Sequence, residues 1–334
     1  SKIFPFQEIN PYEDIDRNYY IYQEQVDALV GGHSLVIAPV RTLLEKFPDK
    51  NFYKKNSFEI KKDEEIDYSK TIERLISLGY KRVPMAMDAG EFSVKGDILD
   101  IFTLHSSPVR IEFFADTVED IRMFDPSTQK SFKKLDKITV YPLHKFLLDD
   151  ENKAGFKNKL HKELEQFGQN EVLDLLFNEI TEKIQQEDYF EGIEYYQSYL
   201  NKDLVPVLEF FKDYILIYDD TAQINAKFEN FDNEMIAAYQ ANLASNLKLP
   251  LISKNHTTFQ EYKKEIQKFK RIGFDVFLEN FEGDNLGYEG LSDNSFRDKL
   301  IEFNSSLPPF FSSSTNDVTD FINKELKANS RIFI

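Results

Sequence analysis

The sequence predicts an α/β protein assembled from two chain segments, with a small antiparallel β-rich (α+β) domain inserted between them. Three observations predict it. Short apolar runs alternate with helix-spaced patterns up to about residue 80, short strands punctuated by Gly and Pro take over to about residue 145, and the alternation then returns. The expected boundaries are 1–80 and 146–285 for the two α/β segments, 81–145 for the insertion, and 286–334 for a linker and the start of a further α/β domain.

In the first segment Tyr19, Tyr20, Val26 and Leu29 mark a helix, and Gly31-Gly32-His33 reads as the turn that follows it. Leu35-Val36-Ile37-Ala38 is a continuous apolar run suited to a strand buried on both faces, after which Pro39 opens a helical pattern of Thr42, Leu43, Leu44 and Phe47. Asp67-Tyr68-Ser69 offers the cap of a third helix, with Ile72, Leu75 and Ile76 on one side and Gly79 at its end. The insertion carries strand patterns at 92–94, 98–102, 109–114, 121–124 and 138–141, separated by Gly96, Pro108, Pro126 and other breaks.

The second segment starts with helical patterns at Leu160 and Leu164 and at Val172, Leu176, Ile180 and Ile184. An aromatic stretch at 189–199, a strand at 214–218 and a long helix capped by Thr221 follow, until Leu249-Pro250-Leu251-Ile252 breaks the pattern. The Ser-rich stretch 312–315 reads as a loop, Val318, Phe321, Ile322 and Leu326 as a helical stripe, and Arg331-Ile332-Phe333-Ile334 as a strand. That last strand runs into the final residue and the first residue is Ser, so a piece of a longer chain is expected.

Composition narrows the function. With 58 acidic against 41 basic residues the formal net charge is −17, a surface that repels phosphate backbones unless basic groups are segregated. Cys is absent, which removes disulfides and thiolate metal sites. No apolar run approaches the roughly 18–20 residues of a membrane helix and no signal peptide opens the chain, so a cytoplasmic location is expected.

Motifs for chemistry are missing. No G-x-x-x-x-G-K-[ST] occurs to cradle phosphates, and no G-x-S-x-G elbow or H-E-x-x-H pair is found. His33, His105, His144, His161 and His256 are scattered, and the acidic runs Asp63-Glu64-Glu65 and Asp149-Asp150-Glu151 read as solvated loops. Tyr189, Phe190, Tyr195, Tyr196 and Tyr199 have the chemistry to stack bases, but Glu187, Asp188, Glu191 and Glu194 lie among them, which favours packing between domains. No catalytic, cofactor-binding or metal-binding residue is assigned, and a non-enzyme is expected.

Three ordered blocks in the insertion are more specific: Glu91 to Phe102 (EFSVKGDILDIF), Val109 to Asp116 (VRIEFFAD), and Ile121 to Asp125 (IRMFD) with Ser127-Thr128-Gln129. They resemble the interaction domain shared by the excision-repair protein UvrB and the transcription-repair coupling factor (Mfd) family. Gly192-Ile193-Glu194-Tyr195-Tyr196 and Ile9-Asn10-Pro11-Tyr12-Glu13 are similar to stretches of the coupling factors, whereas the P-loop and DNA-clamping hairpin of UvrB are not found.

The resemblance implies a degenerate helicase-like (P-loop-type) α/β domain without nucleotide binding, in two segments, around an insertion that recruits UvrA. It implies that RNA polymerase and DNA are bound by other domains, which would also carry ATP chemistry, and that the recruiting surface is held against the C-terminal region of the full-length protein. A UvrB-type ATP-dependent DNA-damage-handling protein whose P-loop lies outside these residues is the alternative; a hydrolase assembled from distant Asp and His residues is a more remote one.

In a strand alternate side chains share a face, so Arg110, Glu112 and Phe114 are expected together, opposite Val109, Ile111 and Phe113, with Arg122 and Phe124 joining them one strand later. From pattern alone, Arg110 and Arg122 pair with Glu112, Asp120 or Asp125 on a solvated sheet, interactions worth about 0–1 kcal/mol each. The resemblance instead implies partner-binding residues: Arg110 and Arg122 as charged anchors, with Phe92, Glu112, Phe114 and Phe124. From Lys81 to His144 nine basic residues meet ten acidic ones, so this stretch is nearly neutral within an acidic chain.

Overall fold

The computed structural model describes residues 1–6, 18–103, 107–186, 189–190, 192–201, 203–245, 255–274 and 315–327. The stretches 9–13, 249–252 and 331–334, together with His105, Glu187, Asp188, Glu191 and most of 312–315, lie outside these residues. The chain divides into two units, residues 1–291 and 292–334.

The first unit opens with β1 (Lys2–Ile3), α1 (Tyr19–Val30), β2 (Val36–Ile37), β3 (Lys46–Pro48) and α2 (Lys50–Asn56). Asn18 and Asp49 cap the two helices by accepting from Ile21 N and Phe52 N. The Gly31-Gly32 turn connects α1 to β2, and β2 pairs with β1 in parallel. The apolar run at 35–38 is not buried on both faces: Leu35 and Ile37 are 48% and 56% exposed, because this two-stranded ladder turns only Val36 to the core. Nor is there an α-helix after Pro39. A short 3-10 turn, Val40–Leu44, leads into β3, where Phe47 precedes Pro48 and is thereby driven to extended backbone.

The next elements are β4 (Phe58–Lys61), α3 (Tyr68–Ser77), β5 (Lys81–Arg82), β6 (Glu91–Lys95), β7 (Ile98–Ile101), β8 (Val109–Phe114), β9 (Thr117–Phe124), β10 (Ser131–Lys134) and β11 (Lys137–Val140). Strands β10-β9-β8-β7-β6-β5 form one sheet in that order, antiparallel except for the β5–β6 pair. The strand expected at 138–141 does not join it; β11 pairs with β4 instead. Asp67 caps α3 through Lys70 N, and Gly79 ends the helix at φ +94° in a place where a Cβ would press on His144 and Tyr189. Leu75 and Leu78 of that turn-and-helix share one core with Ile60, Phe92, Leu99, Ile111, Ile121, Val140 and Leu143. Residues from β4 to β11 therefore bury a single apolar core between the sheet, α3 and the β4–β11 ladder.

Beyond it come α4 (Asp150–Leu164), α5 (Glu171–Gln186), α6 (Gln197–Leu200), β12 (Leu204–Pro206), β13 (Ile215–Asp219), α7 (Thr221–Ser245), α8 (Phe259–Ile266) and β14 (Lys270–Phe274). Asp149 is the N-cap of α4 and Asp150 and Glu151 lie in its first turn, so this acidic run opens a helix and is not a loop; the charges oppose the positive end of the helix dipole. At α7 the capping carboxylate belongs to Asp220, which accepts from Gln223 N, and Thr221 is already helical. Tyr196 and Tyr199 are buried with Phe156 and Ile184 between α4, α5 and α6, and Tyr189 stacks on His144 at 3.9 Å, so these aromatics pack.

The two flanking segments meet directly. β12 pairs antiparallel with β3, and Phe4, Tyr22, Phe47 and Tyr53 share a core with Phe210, Phe228 and Tyr262. In the second unit, α9 (Thr315–Lys327) carries Val318 and Leu326 exposed and Phe321 and Ile322 half-buried. No helix among the described residues is long and apolar enough to cross a membrane.

Candidate functional site: the open face of the six-stranded sheet

Sheet register explains how the face is built. Ser93, Asp100, Arg110, Arg122 and Lys134 lie in one row across β6, β7, β8, β9 and β10, and Ile98, Glu112 and Asp120 in the next. A bulge between Glu112 and Phe113 gives β9 one extra residue, Glu119, so Val118 and Ile121 both reach the core although they are three positions apart. Val109, Ile111 and Phe113 are buried as the alternation requires, and Arg110, Glu112 and Phe114 share the other side.

The six candidate residues fare differently. Phe114, beside the turn at Ala115 (φ +52°), is 70% exposed. Arg122 and Glu112 are 28% and 34% exposed and form an ion pair, with Asp120 Oδ2 3.4 Å from Arg122 Nε and 3.3 Å from Lys134 Nζ. Phe92 lies on the opposite face, fully buried in the core beside Ile101, and presents no surface for docking. Phe124 is on the expected side but fully buried too, with the Arg110 guanidinium over one side of its ring at 4.5 Å. Alternation fixes which way Phe124 points; what covers it comes from elsewhere in the chain.

Arg110 itself is held on three sides. Its Nε and Nη2 donate to the two carboxylate oxygens of Asp100 at 2.7 and 2.8 Å, a bidentate fork, and Nη2 also reaches Gln129 Oε1 at 3.0 Å. The Asp100 carboxylate raises the Arg110 pKa above the ordinary guanidinium value. Nothing in the alternation pattern singled out Asp100 as the partner; its place opposite Arg110 on β7 is a matter of register.

The block Asp125 to Gln129 closes the site. Asp125 Oδ1 accepts from the backbone N–H and hydroxyl of Ser127 at 3.0 and 2.6 Å and from those of Thr128 at 2.7 and 3.1 Å, and the Ser127 hydroxyl followed by the Thr128 N–H holds its pKa below the usual carboxylate range. The turn leaves Gln129 at φ +59°, with its Nε2 donating to Pro126 O at 2.7 Å and its Oε1 aimed at Arg110. A motif noticed as a resemblance thus has a physical content. It is a self-capped turn that delivers one amide to the arginine.

The open face thus combines a six-stranded sheet, a part-exposed ion pair and an exposed aromatic. Residues 58–146 match the family model described as the UvrB interaction domain, which spans β4 to just beyond β11 and so coincides with the core described above. The chain is 24% identical over 279 residues to the transcription-repair-coupling factor of Haemophilus influenzae (81% of this chain, 24% of that protein) and 28% identical over 263 residues to that of Bacillus subtilis (76% and 22%). It is also 26% identical over 253 residues to UvrABC system protein B of Methanococcus maripaludis (71% and 39%). Over residues 58–146 the chain is thus similar to proteins that carry a UvrB interaction domain. Across most of its length the chain is similar to transcription-repair coupling factors, and it spans about a quarter of the length of the coupling factors just named.

Proposed function

We propose that this chain is a non-catalytic docking module that recruits UvrA, joining nucleotide excision repair to an RNA polymerase stalled at damaged DNA. The observation that carries the reading is the half-exposed Arg122–Glu112 pair beside the exposed Phe114, on the sheet of a UvrB interaction domain. An arginine at a part-desolvated carboxylate and a bare aromatic are the residue types that dominate binding energy at protein interfaces. A nearly neutral docking domain within a chain of net charge −17 suits a protein partner better than a phosphate backbone.

On this reading the two flanking segments form a degenerate helicase-like α/β domain that serves as a scaffold. The position after β2 where a phosphate-binding loop would open a helix is taken by the 3-10 turn Val40–Leu44, which has no glycine, and Arg41 stacks on Phe231 there at 3.9 Å. The same reading leaves translocation and polymerase binding to domains other than these. The UvrB-type alternative draws support from the Methanococcus relative, and nucleotide binding by a longer chain that includes a P-loop would favour it. Calorimetric titration of the chain with purified UvrA, with and without ATP, tests the reading: saturable binding is expected, and a folded sample that takes up no UvrA would refute it.

A further inference from the structure

Arg110 and Arg122 are directly opposite one another in register, yet they are bound in different ways. We infer that Arg110 is a positioning residue for partner binding, which holds the turn at 125–129 on the sheet, and that the partner is contacted by its neighbours Arg122, Glu112 and Phe114. The inference rests on the docking reading above.

The case is one of donors already committed. Arg110 gives Nε and Nη2 to Asp100 and Nη2 again to Gln129, and only 19% of its side chain is exposed. Asp100 is 3% exposed, so a partner carboxylate that took over the fork would strand a buried anion, which is strongly unfavourable. One flat side of the guanidinium is occupied as well, by Phe124. What Arg110 does offer outward is the position of Gln129, and through it the turn whose other end is tied by Asp125. Arg122 has the opposite arrangement. Its hydrogen bond runs to Glu112, a residue one-third exposed, and Asp120 Oδ2 lies 3.4 Å from its inward Nε, so a partner can re-pair Glu112 and the outer end of the guanidinium while Asp120 stays in place.

The two roles separate experimentally. Arg110→Lys keeps the charge but loses the fork and the contact with Gln129, and Asp100→Asn removes an anion that no partner touches while leaving the face more positive. A positioning role predicts that both weaken UvrA binding by roughly tenfold or more in a calorimetric titration of the whole chain, and that adding Gln129→Ala to Arg110→Lys costs little further. Hydrogen exchange in the chain without UvrA reads the turn directly: Arg110→Lys speeds exchange at residues 125–130 while strands β7 and β8 keep their protection.

Full affinity in Arg110→Lys, or tighter binding in Asp100→Asn, would mean that the charge of Arg110 is itself the contact and would overturn the inference. Unchanged exchange at 125–130 would overturn it equally. Absence of UvrA binding by the unaltered chain has a different signature and removes the docking reading, together with the role assigned here.

Discussion

The two faces of the six-stranded sheet are made by alternate residues of the same strands, and they obey different rules. On the inner face Phe92, Ile101, Val109, Ile111 and Ile121 pack with α3 into one core, and each is replaceable only by something of its shape. On the outer face Asp100, Arg110, Arg122 and Glu112 are held by directional contacts, and their exposure climbs from the buried Asp100 to the half-open Glu112. The inner face is held by packing, the outer face by directional contacts between charges.

That contrast can be broken at its strongest point first. Phe92→Ala empties a fully buried ring from the inner face and is expected to cost about 3–5 kcal/mol of unfolding free energy, read by urea titration. A loss below ~1 kcal/mol would show that the inner face is not the packed side. Asp100→Ala on the outer face removes the anion under Arg110 and is expected to cost about 1.5–3 kcal/mol in the same measurement, since a charge-assisted pair with one buried member is lost.

Further out the effect falls. Arg122→Ala should change stability by only about 0–1 kcal/mol, because its ion pair is part-exposed and screened. A large loss would place Arg122 with Arg110 among the residues that hold the face together. The smallest expected effect is one of pH. Asp125 is more acidic in the folded chain than an ordinary carboxylate, so its contribution to the turn is complete above the ordinary value and is lost as pH falls through the lowered one. Amide shifts of Ser127 and Thr128 followed by NMR should therefore titrate below the usual Asp midpoint; a midpoint at the ordinary value would mean that the turn is not tied by this carboxylate.

How much of this was legible in the sequence follows from range. The strands at 92–94, 98–102 and 109–114 and the segregation of Arg110, Glu112 and Phe114 from Val109, Ile111 and Phe113 depend on period-two alternation and tight turns such as Gly96 (φ +59°), which are local. The caps of α1 and α3 are local as well, although the cap of α7 was displaced by one residue to Asp220. Three features were hidden because each is set by a distant part of the chain. β11 looked like a further strand of the sheet, but Ile138 and Val140 pair with β4, some eighty residues earlier. Leu35 and Ile37 looked like a buried strand because a continuous apolar run does not record that only one side meets a neighbour. Phe92 and Phe124 looked available for docking, but Phe92 is enclosed in the core shared by β4 to β11, and Phe124 has the Arg110 guanidinium over its ring.

The most direct test of the central claim is the affinity of UvrA for the Arg122→Glu, Phe114→Ala double variant, measured by calorimetry beside the unaltered chain, with thermal melting recorded for both. The account predicts a loss of about a hundredfold or more with melting within a few degrees of the parent, since Phe114 is bare, Arg122 is part-exposed and both are assigned to the partner. Unchanged affinity in a variant that melts like the parent would contradict it, and would move the docking surface away from the open face of the sheet.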